Sequence, residues 1–314
     1  MKYRYLLFGL ISAAVTVAAC GGSGGGASSP TAPSMVPSVP SVLQLWSKEG
    51  IRLDNGIAGY SGILADTSTI QLTDGRWRMY VFTGGQVRSA ISSDGLSFSM
   101  EAGSRLPEGY GQPRIIRLDN GHLRIFTNGM GGIISAVSQD DGMTFTSEDG
   151  IRVNASSFGL TELTGPSNIV RASDGRWRMY FSDLPRAGQT LVTHSIHSAS
   201  SSDLLNWYPD FGTRIGPDAE LTGSGEHPAA IANADGSISI FYFRNNTYEL
   251  MTATSSDGLT FATESDTGLS SQGDMANDPD LVRLSGGTVR MYYNQGDATG
   301  GRVYSALHSG SPPW

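Results

Sequence analysis

One cysteine, Cys20, stands in the 314 residues, so no disulfide framework holds this chain together and its stability must come from a buried core. Charge is also scarce: 16% of residues are Asp, Glu, Lys or Arg, with a formal net charge of -8. No basic stripe offsets phosphate repulsion, which excludes nucleic acid as a main partner. The histidines are few and show no metal-ligand spacing. His194 and His197 are three apart, which on a strand puts them on opposite faces. The apolar run from Tyr5 to Ala19 is too short to span a bilayer comfortably.

What the chain has in quantity is glycine, 41 residues of it, and five of these mark a repeat. The segments after Gly75, Gly121, Gly175, Gly236 and Gly287 read Arg-Trp-Arg-Met-Tyr, His-Leu-Arg-Ile-Phe, Arg-Trp-Arg-Met-Tyr, Ser-Ile-Ser-Ile-Phe and Thr-Val-Arg-Met-Tyr. Large apolar residues fall two and four positions after each glycine, the alternation of a strand that packs one face. Repeats of about 46 to 61 residues match a four-stranded blade, and blades cannot bury their faces alone. The expected fold is therefore all-β: one five-bladed β-propeller of four-stranded antiparallel blades over residues 45–314.

Turns rich in Ser, Asp and Gly follow the third strands at Ser92–Phe98, Ser138–Phe145, Ser201–Trp207 and Ser255–Phe261. Their Asp side chains accept local backbone N–H bonds, and the closing aromatic plugs the space between blades. Outer strands are expected at Met100 to Leu106, Thr146 to Val153, Tyr208 to Ile215 and Ala262 to Leu269. The fifth blade lacks one, but residues 45 to 53 look like 145 to 153 and are expected to supply it, hiding two edges. Arg78, Arg124, Arg178 and Arg290 recur at one repeat position, which signals ion pairs or stacking between blades.

Val17-Ala18-Ala19-Cys20, after Lys2, Arg4 and the apolar run, resembles the lipobox of bacterial lipoproteins. The resemblance implies a signal peptide over 1–20, acylation of Cys20, and attachment to the cell envelope, with the absence of Asp after Cys20 pointing to the outer membrane. Residues 21–44, almost all Gly, Ser, Pro, Ala and Thr, read as a disordered tether. Membrane contact is expected only through this anchor, and the domain itself is expected to be a monomer.

Inner-strand entrances converge on the propeller axis. Nine residues before each repeat glycine stand Asp66, Gln112, Pro166, His227 and Asp278. A shared scaffold with unlike side chains is the pattern of a site that varies on a fixed frame. Ala65-Asp66-Thr67, Gly225-Glu226-His227-Pro228 and Asn277-Asp278-Pro279-Asp280-Leu281, with the Ser201–Trp207 turn, resemble the motifs of five-bladed glycoside hydrolases of families 43, 32, 62, 68 and 130. That resemblance implies a carbohydrate ligand and acid/base hydrolysis with inversion. By position, Asp66 is the general base and Glu226 the general acid, with Asp278 raising the Glu226 pKa by like-charge proximity. Blade three offers Gly165-Pro166-Ser167-Asn168 where the family has a middle Asp. Tyr60, Gln112, Arg114, Asn168 and His227 complete the expected substrate-binding set, with His227 as a hydrogen-bond donor. No organic cofactor and no protein metal ligand is implied; the resemblance allows a calcium on the axis without marking its ligands.

Ser138 to Phe145 also fits the Asp-box of sialidases, but those have six blades and an arginine triad. The Asp-box is a folding motif and carries no activity here. The competing reading is a surface lipoprotein that binds glycan or protein at the same mouth without turnover; a purely structural propeller is the third.

Overall fold

The computed structural model describes residues 46–59, 63–129, 131–184, 194–244, 247–270, 275–297, 300–308 and 310. The expectations placed on Cys20, the tether and Tyr60 lie outside these residues. Five antiparallel sheets follow one another around a ring, each running from an inner strand to an outer one. Blade one comprises Leu64–Gln71, Trp77–Thr83, Gln86–Ser92 and Ser99–Met100, and blade four Glu226–Ala232, Ile238–Arg244, Glu249–Ser255 and Thr263–Asp266. Blade two differs only at its rim, where two short segments, Thr146–Ser147 and Val153–Asn154, pair with the same third strand.

Trp46–Leu53 pairs antiparallel with Gly300–His308 and becomes the outer strand of blade five. The alignment with residues 145 to 153 is one residue out at its start. Trp46, not residue 45, takes the place of Phe145, because the N-terminal strand has one residue fewer between its acid, Glu49, and its glycine, Gly50. The register follows from packing. In all five gaps, the aromatic after the third-strand turn, or Trp46 in blade five, meets a second-strand aromatic of the preceding blade edge-on. The pairs are Phe98 with Tyr292, Phe145 with Tyr80, Trp207 with Phe126, Phe261 with Tyr180, and Trp46 with Phe241, at 5.7 to 5.9 Å between ring centroids. Five apolar clusters fill the same five gaps, so the core is a ring between blades.

The recurring arginines work within and across blades. Arg78 pairs with Glu101, Arg124 with Glu148, Arg178 with Asp210 and Arg290 with Glu49, each acid standing on or directly after the outer strand of the same blade. Arg78, Arg124 and Arg178 also donate to a carbonyl in the turn of the next blade. All four expected outer strands are shorter, the one in blade four reduced to Thr263–Asp266. In the other three, glycines with positive φ, Gly103, Gly150 and Gly212, bulge the chain between two backbone bonds to the third strand. In blade one, for instance, those bonds run from Glu101 N to Ser89 O and from Arg105 N to Val87 O.

Candidate active site

Four of the five positions counted back from the repeat glycines share a backbone state rare for residues with a side chain. Asp66, Gln112, His227 and Asp278 have φ of 55°, 49°, 47° and 47°. Each falls at a register shift between the inner strand and its neighbour. Such a bulge departs from the alternation of the pleat and re-aims a side chain, here into the axial mouth, at about 1 to 3 kcal/mol of local strain each. Blade three cannot do this. Its residue at the same count is Pro166, whose ring holds φ near -65°, and the inner strand there shrinks to Val170–Arg171.

Asp66, Gln112 and His227, with Arg114, Gly165, Pro166 and Pro228, line a small pocket where the inner strands converge. His227 is its centre. Nδ1 lies 2.9 Å from Asp278 Oδ1 and 3.6 Å from Asp66 Oδ1, while Nε2 is 4.0 Å from Glu226 Oε2. Burial opposes a charged ring, but the two aspartates outweigh it and hold the His227 pKa well above 6.5. The aspartates divide accordingly. Burial and the neighbouring Asp278 charge raise Asp66, whereas for Asp278 the imidazolium overcomes burial and lowers it.

The Asp278 carboxylate pairs with His227, and the acid it raises is Asp66. Glu226 has a different companion: His194 Nε2 lies 3.1 Å from Glu226 Oε1, and His194 Nδ1 faces Asp183. Burial disfavours the charged His194 ring, yet Asp183 and Glu226 raise its pKa above 6.5. Neither His194 nor Asp183 was singled out from sequence. The separation of His194 from Glu226 along the chain leaves no local pattern; the one signal was strand alternation, which turns His197 instead toward Phe158 and Phe181.

Two of the expected ligand contacts, Arg114 and Asn168, also hold the scaffold. Each nitrogen of the Arg114 guanidinium donates to a backbone carbonyl of another blade: Nε to Pro166, Nη1 to Thr67 and Nη2 to Pro279. Asn168 donates through Nδ2 to Asp280 Oδ1 at 2.9 Å. Asp280 is fully buried, and that burial raises its pKa. Gln112 does reach the pocket, with Nε2 3.5 Å from His227 Nδ1 and Oε1 accepting from Asn128 and from the Gly165 backbone.

Among the described residues, Asp66, His227 and Asp278 form the one group of donors within 4.8 Å of each other. The mixed nitrogen and oxygen set is unlike the all-oxygen shell that calcium takes. His227 Nδ1 faces both carboxylates, whose charge favours the protonated ring.

No family model and no curated protein matches the chain. Solved structures do. A thermostable family-43 glycoside hydrolase superimposes with a TM-score of 0.60 at 15% identity, covering 82% of this chain and 96% of its own. A family-43 enzyme from Xanthomonas citri complexed with xylose gives 0.60 at 13%, covering 83% and 90%. A protein described within the family-130 mannoside phosphorylases, which contain hydrolases of β-1,2 mannosidic linkages in Candida mannan, gives 0.56 at 18%, covering 81% and 87%. The fold is thus a five-bladed propeller of the kind found in glycoside hydrolases of families 43 and 130.

Proposed function

We propose that this protein hydrolyses a glycosidic bond, with Glu226 as general acid and Asp66 as general base. The observation that carries the reading is the approach of these two carboxylates, from blades four and one, to the two nitrogens of the His227 ring, which lines the pocket. In such a reaction the acid protonates the leaving oxygen while the base takes a proton from the attacking water. Direct attack by water inverts the sugar carbon and needs about 6.5 to 9.5 Å between the carboxyl groups. The raised pKa of Asp66 brings it closer to neutrality, where a general base is most effective. The substrate is a carbohydrate, in keeping with the xylose-bound neighbour. The chain acts outside the inner membrane, held at the cell envelope by lipid on Cys20.

The test is turnover. The full chain is screened against aryl glycosides and plant or microbial polysaccharides beside Asp66→Asn and Glu226→Gln, each expected to lose about 100-fold or more in kcat. Activity unchanged in both variants would discard the assignment. A non-catalytic sugar-binding role is favoured by one observation, Pro166 in the place where a third acid would enter. It predicts saturable binding without release of product. For the anchor, incorporation of labelled palmitate by wild type and not by Cys20→Ala is the expected result; equal labelling would remove it.

A further inference from the structure

Blade three delivers no acid to the axis, but the facing ends of its second and third strands deliver an Asp-His pair to the acid of blade four. Asp183 follows the second strand, Trp177–Ser182, and His194 precedes the third, Ile196–Ser201. The imidazole is buried, with 6% of His194 exposed, and is clamped from several sides. The His194 backbone N–H donates to Ser224 Oγ at 2.9 Å, and the Gly225 N–H donates to the His194 carbonyl at 3.0 Å. Ser195 N–H donates to Asp183 Oδ1 at 2.9 Å. The ring is therefore tied by main chain to the two residues immediately before Glu226.

Both ring nitrogens face oxygen. Nδ1 lies 3.2 Å from the Asp183 carbonyl and 3.4 Å from its carboxylate, neither of which can donate. Nε2 lies 3.1 Å from Glu226 Oε1. With Nε2 protonated as well as Nδ1 the ring is an imidazolium that donates to Oε1, which leaves Oε2, facing His227 at 4.0 Å, as the oxygen free to carry a proton.

Resting on the hydrolase reading above, we propose that His194, oriented by Asp183, is a positioning residue for Glu226: it holds Oε1, directs the transferable proton to Oε2, and pairs with the carboxylate that forms as that proton leaves. In the step, the Glu226 Oε2 proton passes to the glycosidic oxygen. The electron pair of the breaking bond to the sugar carbon goes to that same oxygen. Water bonds to the sugar carbon and gives its proton to Asp66, and solvent returns a proton from Asp66 to Glu226. His194 keeps its own protons throughout. Its gain is selective for the transition state, because Glu226 acquires negative charge only there.

The experiment is a leaving-group series on the full chain. Aryl glycosides from dinitrophenyl to unsubstituted phenyl are compared for wild type, His194→Gln and Asp183→Asn. Gln retains a hydrogen bond but not the charge. His194→Gln should lose about 100-fold in kcat on the most basic leaving groups, shrinking toward no loss on dinitrophenyl, which departs without a proton. KM should stay unchanged. Asp183→Asn should show the same slope at smaller size, and serves alone if His194→Gln does not fold. A loss equal across the series, or none, overturns the proposal. Proton NMR supplies a readout without turnover: a downfield imidazole N–H in wild type that shifts in Glu226→Gln and Asp183→Asn. Its absence in an active wild type sinks the His194 assignment alone; its presence in a chain that turns over no glycoside sinks the hydrolase reading and the catalytic role with it.

Discussion

His227 Nδ1 lies 2.9 Å from Asp278 Oδ1, and the two residues come from neighbouring blades with the same left-handed backbone, φ 47° in each. The pocket is thus built around an ion pair whose halves are both aimed by strained bulges. Charges removed this far from water need each other, because a single one left behind is strongly destabilising.

Stability should register this pair through pH. His227 has its pKa raised in the folded state, so its contribution is fully present below 6.5 and is lost as pH climbs through the raised value. Asp278 has its pKa lowered, so its contribution is present above 3.8 and is lost as pH falls through the lowered value. The thermal unfolding gap between wild type and Asp278→Asn is therefore expected to be widest from about pH 4 to 6.5 and to narrow on both sides. A gap independent of pH would show that the pair is not ionised.

Closure of the ring can be tested at Trp46. Its ring sits 5.7 Å from Phe241, and Glu49 on the same strand takes Arg290 at 2.8 Å and Ser305 at 2.7 Å. Trp46→Ala should cost about 3 to 5 kcal/mol, the usual figure for a buried Trp. Deleting residues 42–55 should destabilise the whole ring, since it uncovers a strand edge and strips one of the five aromatic pairs. Denaturant unfolding decides the matter: a truncated chain as stable as the parent would mean the strand is an ornament.

The ring was legible in the sequence because its parts repeat, and repetition exposes period, register and exceptions together. The glycine count alone led to Asp66, Gln112, His227 and Asp278, the four positions that adopt positive φ, and to Pro166, the one that cannot. The recurring arginines were legible for the same reason. Contacts made once were not. His194 meets Glu226 only because two blades abut, and strand alternation says which way a side chain points but not what waits there. Arg114 does line the pocket, but its three carbonyl partners in three other blades are contacts of the same one-off kind and left no trace in the repeat.

Those carbonyls make Arg114 the tie between blade two and the inner strands of blades one and five and the segment before the inner strand of blade three. Arg114→Met should leave three buried acceptors without donors, at about 1 to 3 kcal/mol each before relaxation. The loss is expected in the absence of any sugar, which separates a tie from a ligand contact. Urea unfolding of the free protein checks this; a variant of wild-type stability with weakened sugar binding would restore Arg114 to the binding set.

The pH profile of activity bears on His227 itself. A general base must be unprotonated, so the acidic limb of kcat/KM follows its pKa in the free protein. Burial and the Asp278 charge push Asp66 up, while the hydrogen bond and charge of His227 pull it down. His227→Gln removes the larger part of the downward pull, leaving only that of Arg114, and keeps the burial that pushes Asp66 up. The acidic limb should consequently move to higher pH, with the alkaline limb following whichever acid protonates the leaving group. Movement of the acidic limb to lower pH, or none at all, would mean that the base is a residue His227 does not touch, and Asp66 would lose its role.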